Sequence, residues 1–371
     1  MSKALISAGA NVTVICRKGV WRENEHPDIN YKGNYEGINY LYSSKTTVKP
    51  NGFLKRNLTK LKGIYGEYQF IKKLKKNKEL SLAIVSERNN IHILRYYMYS
   101  LIFGFPIVNN LVEMASSFQN KISFLKRINN YVLDKWTLKL FSGALPISDK
   151  LNHYYRSIIP SKPSLKLPIL CDYEKFEIPR ENKAPYFLYC GSINYLEVIN
   201  FILKCYKNLE EGKAKLYMVV SGDSKEKIQE IQDKINNEFV GAPVTLFTRI
   251  PYSQLVHLYT HAIALLIPLR PTLQDTSRFP HKIGEYLASG NPVITTNVGE
   301  IKTYFKDNET ALVASEYKVS DFTEKMEYVL NFPEKAKSIG HNGKELGLRN
   351  FDYKIHGSRL LDFFDSKYNL K

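Results

Sequence analysis

Short apolar runs and helical stretches alternate twice along this 371-residue chain, and that alternation constrains its fold more than any other feature. In the first half, "NVTVICR" (11–17), "LAIVSER" (82–88) and "PIVNNLVE" (106–113) read as buried strands, with "GALPIS" (143–148) as a shorter one. Helical patterns at 59–78, 90–103 and 124–142 lie between them. In the second half, "YFLYCGS" (186–192), "AKLYMVVSG" (214–222), "VTLFTR" (244–249), "AIALLIPL" (262–269) and "NPVITTN" (291–297) read as strands. They alternate with helices at 195–210, 224–238, 252–260 and 280–289. Alternation of this kind places a parallel sheet between two helical layers. Two such series in succession predict two Rossmann-like α/β domains.

Length agrees, since a prior of roughly 100–200 residues per domain gives two. The boundary falls in "IIPSKPSLKLPILCDYEKFEIPRENKAP" (158–185), which is proline-rich and has no clear periodicity. We expect a first domain over 1–165, a second over 166–351, and a C-terminal helix over about 352–371 that packs back on the first.

The net charge of +17 and the pI near 9.4 favour anionic partners such as phosphates, nucleic acid or an anionic membrane face. The basic residues are dispersed and no nucleic-acid-binding module is recognisable, so no nucleic-acid partner is expected. Cys16, Cys171, Cys190 and Cys205 form no CxxC pair and no zinc spacing, so no metal site is expected. They read as buried free thiols of a reducing compartment. "MSKALISAGANVTVICR" lacks the core and cleavage site of a signal peptide. No apolar run reaches the roughly 18–20 residues of a membrane span. The expectation is a cytoplasmic protein. The stretch "FLKRNLTKLKGIYGEYQFIKKLKKNK" (53–78) mixes lysine with Phe, Leu, Ile and Tyr at helical spacing. One face suits an anionic bilayer at the inner side of the cell membrane, while a solvated lysine-rich helix packed by its apolar face is the commoner source of such a pattern.

The chemistry concentrates in "RFPHKIGEYLASGNPVITTNVGE" (278–300). Pro280 suits a first helical turn, and Gly290 followed by Asn291-Pro292 is a stop, so a helix over 280–289 lies between two buried strands. In open α/β sheets, ligands bind off the carboxyl ends of the strands, where 270–282 falls. A helix N-terminus with Arg278 and Lys282 four residues apart suits a diphosphate. Glu285, one turn on, suits the two hydroxyls of a ribose. Diphosphate and ribose together describe a nucleotide, and between two Rossmann domains they suggest an activated sugar. A surface Lys282–Glu285 helical pair is the competing explanation, weakened by the buried strands on either side and the polar loop before the helix.

This segment resembles the donor-binding region of family-four glycosyltransferases, which are retaining, metal-independent enzymes with two Rossmann domains facing across a cleft (GT-B). The branch with an FPxKxxEYLAxGxPV signature, common in capsule, O-antigen and exopolysaccharide synthesis, is the most similar. "LPILCDYEKF" (167–176), "YFLYCGSINY" (186–195), "PIVNNLVE" and "ISDKLNHYY" resemble other family segments in order. The resemblance is strong over 166–315 and loose over 1–150.

The resemblance implies that Glu285 holds the ribose, that Lys282 and Arg278 neutralise the departing diphosphate, and that Gly191 and Ser192 let backbone approach the phosphates. It places Ser277, His281, Gly299 and Glu300 at the donor as well. Ser277 stands where the family usually has an acidic residue facing the donor sugar, and Asp275 is the substitute. The Arg…Lys pair usual after the first strand of the second domain is absent from "GSINYLEV", and its charge falls to Arg278 and Lys282. Glu113 is the acceptor-side carboxylate, with a solvated strand end as its alternative. No cofactor is implied beyond the nucleotide-sugar co-substrate, and the acceptor is a saccharide, expected to be lipid-linked.

In the resembling family a first strand and a glycine-rich loop precede the helix that opens this sequence. Without that central strand, 11–17 and 82–88 would each expose a pairing edge. We therefore expect an internal start or a truncated product, with a weak first domain and little transferase activity. Two further functions fit less well. A sugar-nucleotide 2-epimerase shares the fold but wants a carboxylate set that is not found, and a non-catalytic partner subunit would fit Ser277 and the bare "GSINYLEV" loop.

Overall fold

The computed structural model describes every residue except 23–27, 118–122, 182–183, 211, 223, 240–242 and 370–371. Unit 1 comprises Met1–Pro146, Leu151–Leu167 and Tyr353–Lys371; unit 2 comprises Ile147–Lys150 and Pro168–Asp352. The last two residues of the expected C-terminal helix lie outside the described residues.

Unit 1 opens with α1 (Ser2–Ser7), which ends before Gly9 at φ +95° and leads into β1 (Thr13–Cys16). Next come β2 (Lys32–Tyr35) and β3 (Ile38–Tyr42), an antiparallel hairpin whose second strand lies parallel to β1. α2 (Phe53–Lys76), β4 (Ala83–Val85), α3 (Asn90–Phe103), β5 (Ile107–Leu111), α4 (Phe124–Lys135), β6 (Gly143–Pro146) and α5 (Asp149–Ile158), whose first two residues belong to unit 2, follow. Asn89 caps α3 by accepting from Ile91 N–H, and Gly104 in the left-handed region ends it. The helix read over 124–142 is shorter: it closes at Lys135 and gives way to a 3-10 turn over Thr137–Leu140.

The strands of unit 1 fall into two three-stranded sheets, β1-β3-β2 and β4-β5-β6. β1 and β4, the two strands flanking the expected gap, each pair along one edge only among the described residues. Val14 of β1 is 38% exposed, in contrast to the buried Ile107 and Val108 of β5, which pairs on both sides.

The apolar runs of unit 2 form one six-stranded parallel sheet. Its elements are β7 (Tyr186–Ser192), α6 (Leu196–Lys207), β8 (Lys215–Ser221), α7 (Lys225–Glu238), β9 (Val244–Thr248), α8 (Tyr252–His261) and β10 (Ala264–Ile267). Then come α9 (Leu273–Ser277), α10 (Lys282–Ala288), β11 (Val293–Thr296), α11 (Ile301–Tyr304), β12 (Leu312–Ala314), α12 (Val319–Asn331) and α13 (Pro333–Phe351). Phe187, Leu216, Met218, Leu266 and Ile294 are buried between sheet and helices. The strand order is β12-β11-β10-β7-β8-β9. The chain therefore runs outward from β7 through β9 and returns to the other side of β7 at β10. That reversal opens a crevice at the carboxyl ends of β7 and β10, where ligands bind in doubly wound sheets. The chain ends in α14 (Tyr353–Tyr368), which packs on α1 in unit 1, where a Cβ on Gly357 would lie 2.2 Å from the Ala4 carbonyl oxygen.

Candidate nucleotide-sugar site

The loops leaving β7 and β10 meet at that crevice. After β10 comes Arg270, then α9, then the extended residue Arg278 that leads towards α10. Asp275, with no solvent exposure, lies between the two arginines. Arg270 Nε reaches its Oδ2 at 2.8 Å, the Arg270 backbone N–H donates to the same oxygen at 3.0 Å, and Arg278 Nη2 reaches its Oδ1 at 2.6 Å. Charges at such separations, shielded from water, interact strongly and hold one another in place.

From the β7 side, Tyr195 enters this cluster. Arg278 Nη1 donates to its hydroxyl at 2.6 Å, and both guanidiniums face its ring, with their carbons 4.9 Å (Arg278) and 5.5 Å (Arg270) from the centroid. Arg270 also pairs with Glu197 at 3.1 Å. "GSINYLEV" thus carries no cation of its own but supplies the aromatic face and the carboxylate that fix two cations from the β10 side. Gly191 is required here because a Cβ would sit 2.0 Å from the Tyr189 hydroxyl, and Ser192 follows it as the last residue of β7.

α10 starts at Lys282, two residues later than the sequence pattern indicates. Arg278 and Lys282 therefore do not share a helix face. Ile283 and Gly284 N–H donate to the carbonyls of Pro280 and His281. Those amides are thus committed, and side chains supply the positive charge. His281 is exposed at the start of α10. Lys282 and Glu285 are half-buried, one turn apart. The Tyr252 hydroxyl donates to Glu285 Oε1 at 3.2 Å, and the Tyr286 hydroxyl, on the same helix, accepts from Cys190 N–H at 2.9 Å, tying α10 to β7. Burial raises the Glu285 carboxyl above its ordinary value, against the pull of the Tyr252 hydroxyl and the Lys282 charge.

Ser277 faces inward: its hydroxyl donates to the Leu273 carbonyl, and its own carbonyl accepts from Ser148. Lys150 Nζ donates to Thr276 Oγ1 at 2.6 Å. Glu300 caps the same segment by accepting from Asp149 N–H at 2.7 Å, and Gly299, at φ +59°, allows close approach to the carbonyls of Asp275 and Thr276. Ser277, Gly299 and Glu300 thus hold residues 147–150 and α9 together. Glu113 belongs to unit 1, where Arg88 Nη1 pairs with it at 2.7 Å.

Sequence reasoning missed Arg270, Tyr195 and Tyr252. Arg270 had a readable signal, since it follows directly on an apolar strand at its carboxyl end. Among the described residues, one group has metal-ligand chemistry: Glu181, His257 and His261, with ligand atoms within 4.8 Å of one another. His261 is already engaged there, its Nε2 accepting from Glu181 N–H at 2.9 Å and its Nδ1 donating to the His257 carbonyl at 2.8 Å. The group lies where α8 leads into the amino end of β10, at the opposite end of that strand from the arginines.

Residues 172–346 match the family profile described as "Glycosyl transferases group 1". A curated relative, trehalose synthase of Pyrococcus horikoshii, is 34% identical over 84 residues, which is 23% of this chain and 20% of that protein's length. Among solved structures, sucrose-phosphate synthase from Thermosynechococcus elongatus superposes with a TM-score of 0.78 at 16% identity, covering 100% of this chain and 92% of that one. HepE of Anabaena, solved with UDP-glucose, gives a TM-score of 0.64 at 10% identity over 86% of this chain and 85% of that one. These superpositions establish the α/β GT-B fold with its parallel sheets.

Proposed function

We propose that this chain, whose residues 172–346 form a glycosyl transferases group 1 domain, transfers a sugar from a nucleotide-diphosphate sugar to a saccharide acceptor. The reading extends to a retaining, metal-independent reaction of cell-surface polysaccharide synthesis, with a lipid-linked acceptor and an anionic membrane surface met through 53–78. The observation that carries the donor assignment is the grouping of Arg270, Arg278, Lys282 and Glu285 along one loop–helix segment off β10, at the reversal of the sheet. Cations answer a diphosphate, and a carboxylate one turn away answers a ribose.

In this mechanism the bond from the anomeric carbon to the diphosphate oxygen breaks, and its electron pair stays with the diphosphate. The acceptor hydroxyl oxygen bonds to the same face of the carbon, and its proton ends on the departing phosphate. Negative charge grows on the diphosphate, so fixed cations lower the barrier. In this reading Lys282 does that work. Arg270 and Arg278 supply a rigid positive edge, with Asp275 and Tyr195 as positioning residues.

A thermal-shift panel of UDP-, GDP- and dTDP-sugars on wild type and Glu285→Gln tests the donor site. Wild type should respond to at least one nucleotide, and the variant should bind it more weakly by about 1–3 kcal/mol. The ionised carboxylate is the stronger acceptor for ribose hydroxyls, and its pKa is raised. Wild-type binding should therefore strengthen as pH rises through a value above the usual carboxylate range of about 4, while the variant shows no such step. Equal affinity in the two proteins overturns the ribose assignment. Transfer to a saccharide acceptor should also persist in EDTA; activity that is lost and then restored by magnesium or manganese overturns the metal-free reading.

A further inference from the structure

Exposed apolar surface is distributed very unevenly in this protein. Among the described residues, unit 2 exposes three large hydrophobic side chains, Tyr252, Leu273 and Phe332. Most of the rest gather on three consecutive helices of unit 1. Every exposed residue of α3 is a large aliphatic one: Ile91, Leu94, Met98, Leu101 and Ile102. Their spacing puts them on one stripe along the helix. α3 contacts α2 on one side and α4 on the other. α4 exposes Phe124, Leu125, Ile128 and Tyr131, and the first half of α2 exposes Phe53, Leu54, Leu58, Leu61 and Tyr65.

Charge on these helices has one sign at the surface. Their remaining exposed residues are basic, such as Lys60 and Lys62 on α2 and Lys126 and Arg127 on α4, apart from Gln69. The acidic side chains in the three helices, Glu67 and Asp134, are 1% and 3% exposed. Glu67 pairs with Arg95 at 2.9 Å, and Asp134 accepts the backbone N–H groups of Ala115 and Ser116. The surface of α2, α3 and α4 is therefore an aliphatic ridge between two lysine- and arginine-bearing flanks, with no exposed carboxylate.

We infer that α2, α3 and α4 form a monotopic membrane-binding face, with the α3 ridge inserted among the acyl chains of an anionic bilayer and the flanking cations at its headgroups. This rests on the proposed contact of 53–78 with a membrane and extends it: α3 inserts, and the lysines of α2 assist. Amphipathic helices of this composition lie in the interface plane. Among the described residues no helix is long and apolar enough to cross a membrane. A second copy of the chain is a poorer occupant, because apposing two such faces brings like charges together. Nucleic acid is poorer too, since α3 presents no exposed cation to a phosphate backbone.

The test is flotation of the full chain with vesicles of phosphatidylcholine alone or mixed with phosphatidylglycerol, without substrates. Three proteins are compared: wild type, Leu94→Gln/Met98→Gln/Leu101→Gln, and a variant with Lys60 and Lys62 changed to Gln. These α3 side chains are 50–65% exposed, so the fold should tolerate the change. Wild type should float with anionic vesicles and retain part of that binding at high salt. The α3 variant should lose about tenfold or more in partitioning. The lysine variant should lose mainly the salt-sensitive part. Bromolipids should quench Trp136, which is 65% exposed just beyond α4, and Trp136→Phe assigns the signal. Unchanged flotation of the α3 variant, with loss only in the lysine variant, overturns the insertion while keeping the contact through 53–78. Concentration-dependent dimers abolished by the α3 changes, with no vesicle binding, overturn it in favour of self-association. Neither result bears on nucleotide-sugar binding, which the thermal-shift panel reads separately.

Discussion

Asp275→Ala should destabilise unit 2 by about 3–5 kcal/mol, the range for removing one member of a buried ion pair. The carboxylate has no solvent exposure, and the arginine side chains on either side are 12% and 18% exposed. Among the described residues its loss leaves two guanidiniums facing one tyrosine ring with a single paired carboxylate, Glu197, whose side chain is 68% exposed and therefore screened. Chemical denaturation reads the loss. Asp275→Asn, which keeps the shape and an acceptor, should fall between wild type and Asp275→Ala. A nucleoside diphosphate should raise the melting temperature of the alanine variant more than that of wild type, because its phosphates replace part of the missing negative charge. If Asp275 instead contacts the donor sugar, as the sequence resemblance implies, the variant keeps wild-type stability and loses only donor use. That outcome would end the positioning role.

The parallel sheet of unit 2 was legible because β7, β10 and β11 are buried at nearly every position and β8 carries the apolar run 216–220, with helical stretches between them. What escaped had weak local patterns. β2 is exposed at every position, so the hairpin Lys32–Tyr42 carries no alternation, and its turn uses Glu36 at φ 50° and Gly37 at φ 82° where Asn-Gly or Asp-Gly is the familiar signal. β12 is three residues long. α9 has five residues, too short for periodicity, although Thr272 marks its start by accepting from Asp275 N–H. In the candidate site, Lys282 and Glu285 could be paired from the sequence because their spacing is local. Tyr195 lies 83 residues from Arg278 and Tyr252 lies 33 from Glu285, so those partnerships exist only once the sheet has formed. Asp275 was singled out for its charge, but the two arginines that claim it are visible only in three dimensions. The apolar ridge was hidden for a different reason. Sequence reasoning reads 90–103 only as a helix between two strands, without a buried face, and the structure buries Ile93 and Tyr99 while leaving the opposite stripe in solvent.

Lys282→Ala should lower kcat by about 10²–10³-fold, the scale of removing one charge-stabilising group at a reacting oxygen, with a smaller change in KM. The three cations of the segment are not equivalent. Arg270 and Arg278 share Asp275, and Arg270 also holds Glu197, so much of their charge is answered within the protein. Lys282 forms no ion pair among the described residues and stands at the first position of α10, one turn from Glu285. In the proposed reaction its charge is the one left to meet a departing diphosphate. That charge grows towards the transition state, so its loss belongs in kcat. Arg278→Ala should lower kcat less and should also cost stability, since it exposes one side of Asp275. Lys282→Ala should unfold like wild type, because it removes no paired group. A rise in KM at constant kcat would show that Lys282 holds only the ground-state phosphate. An unchanged kcat/KM would remove it from the site and leave the guanidiniums as the whole of the diphosphate-binding charge.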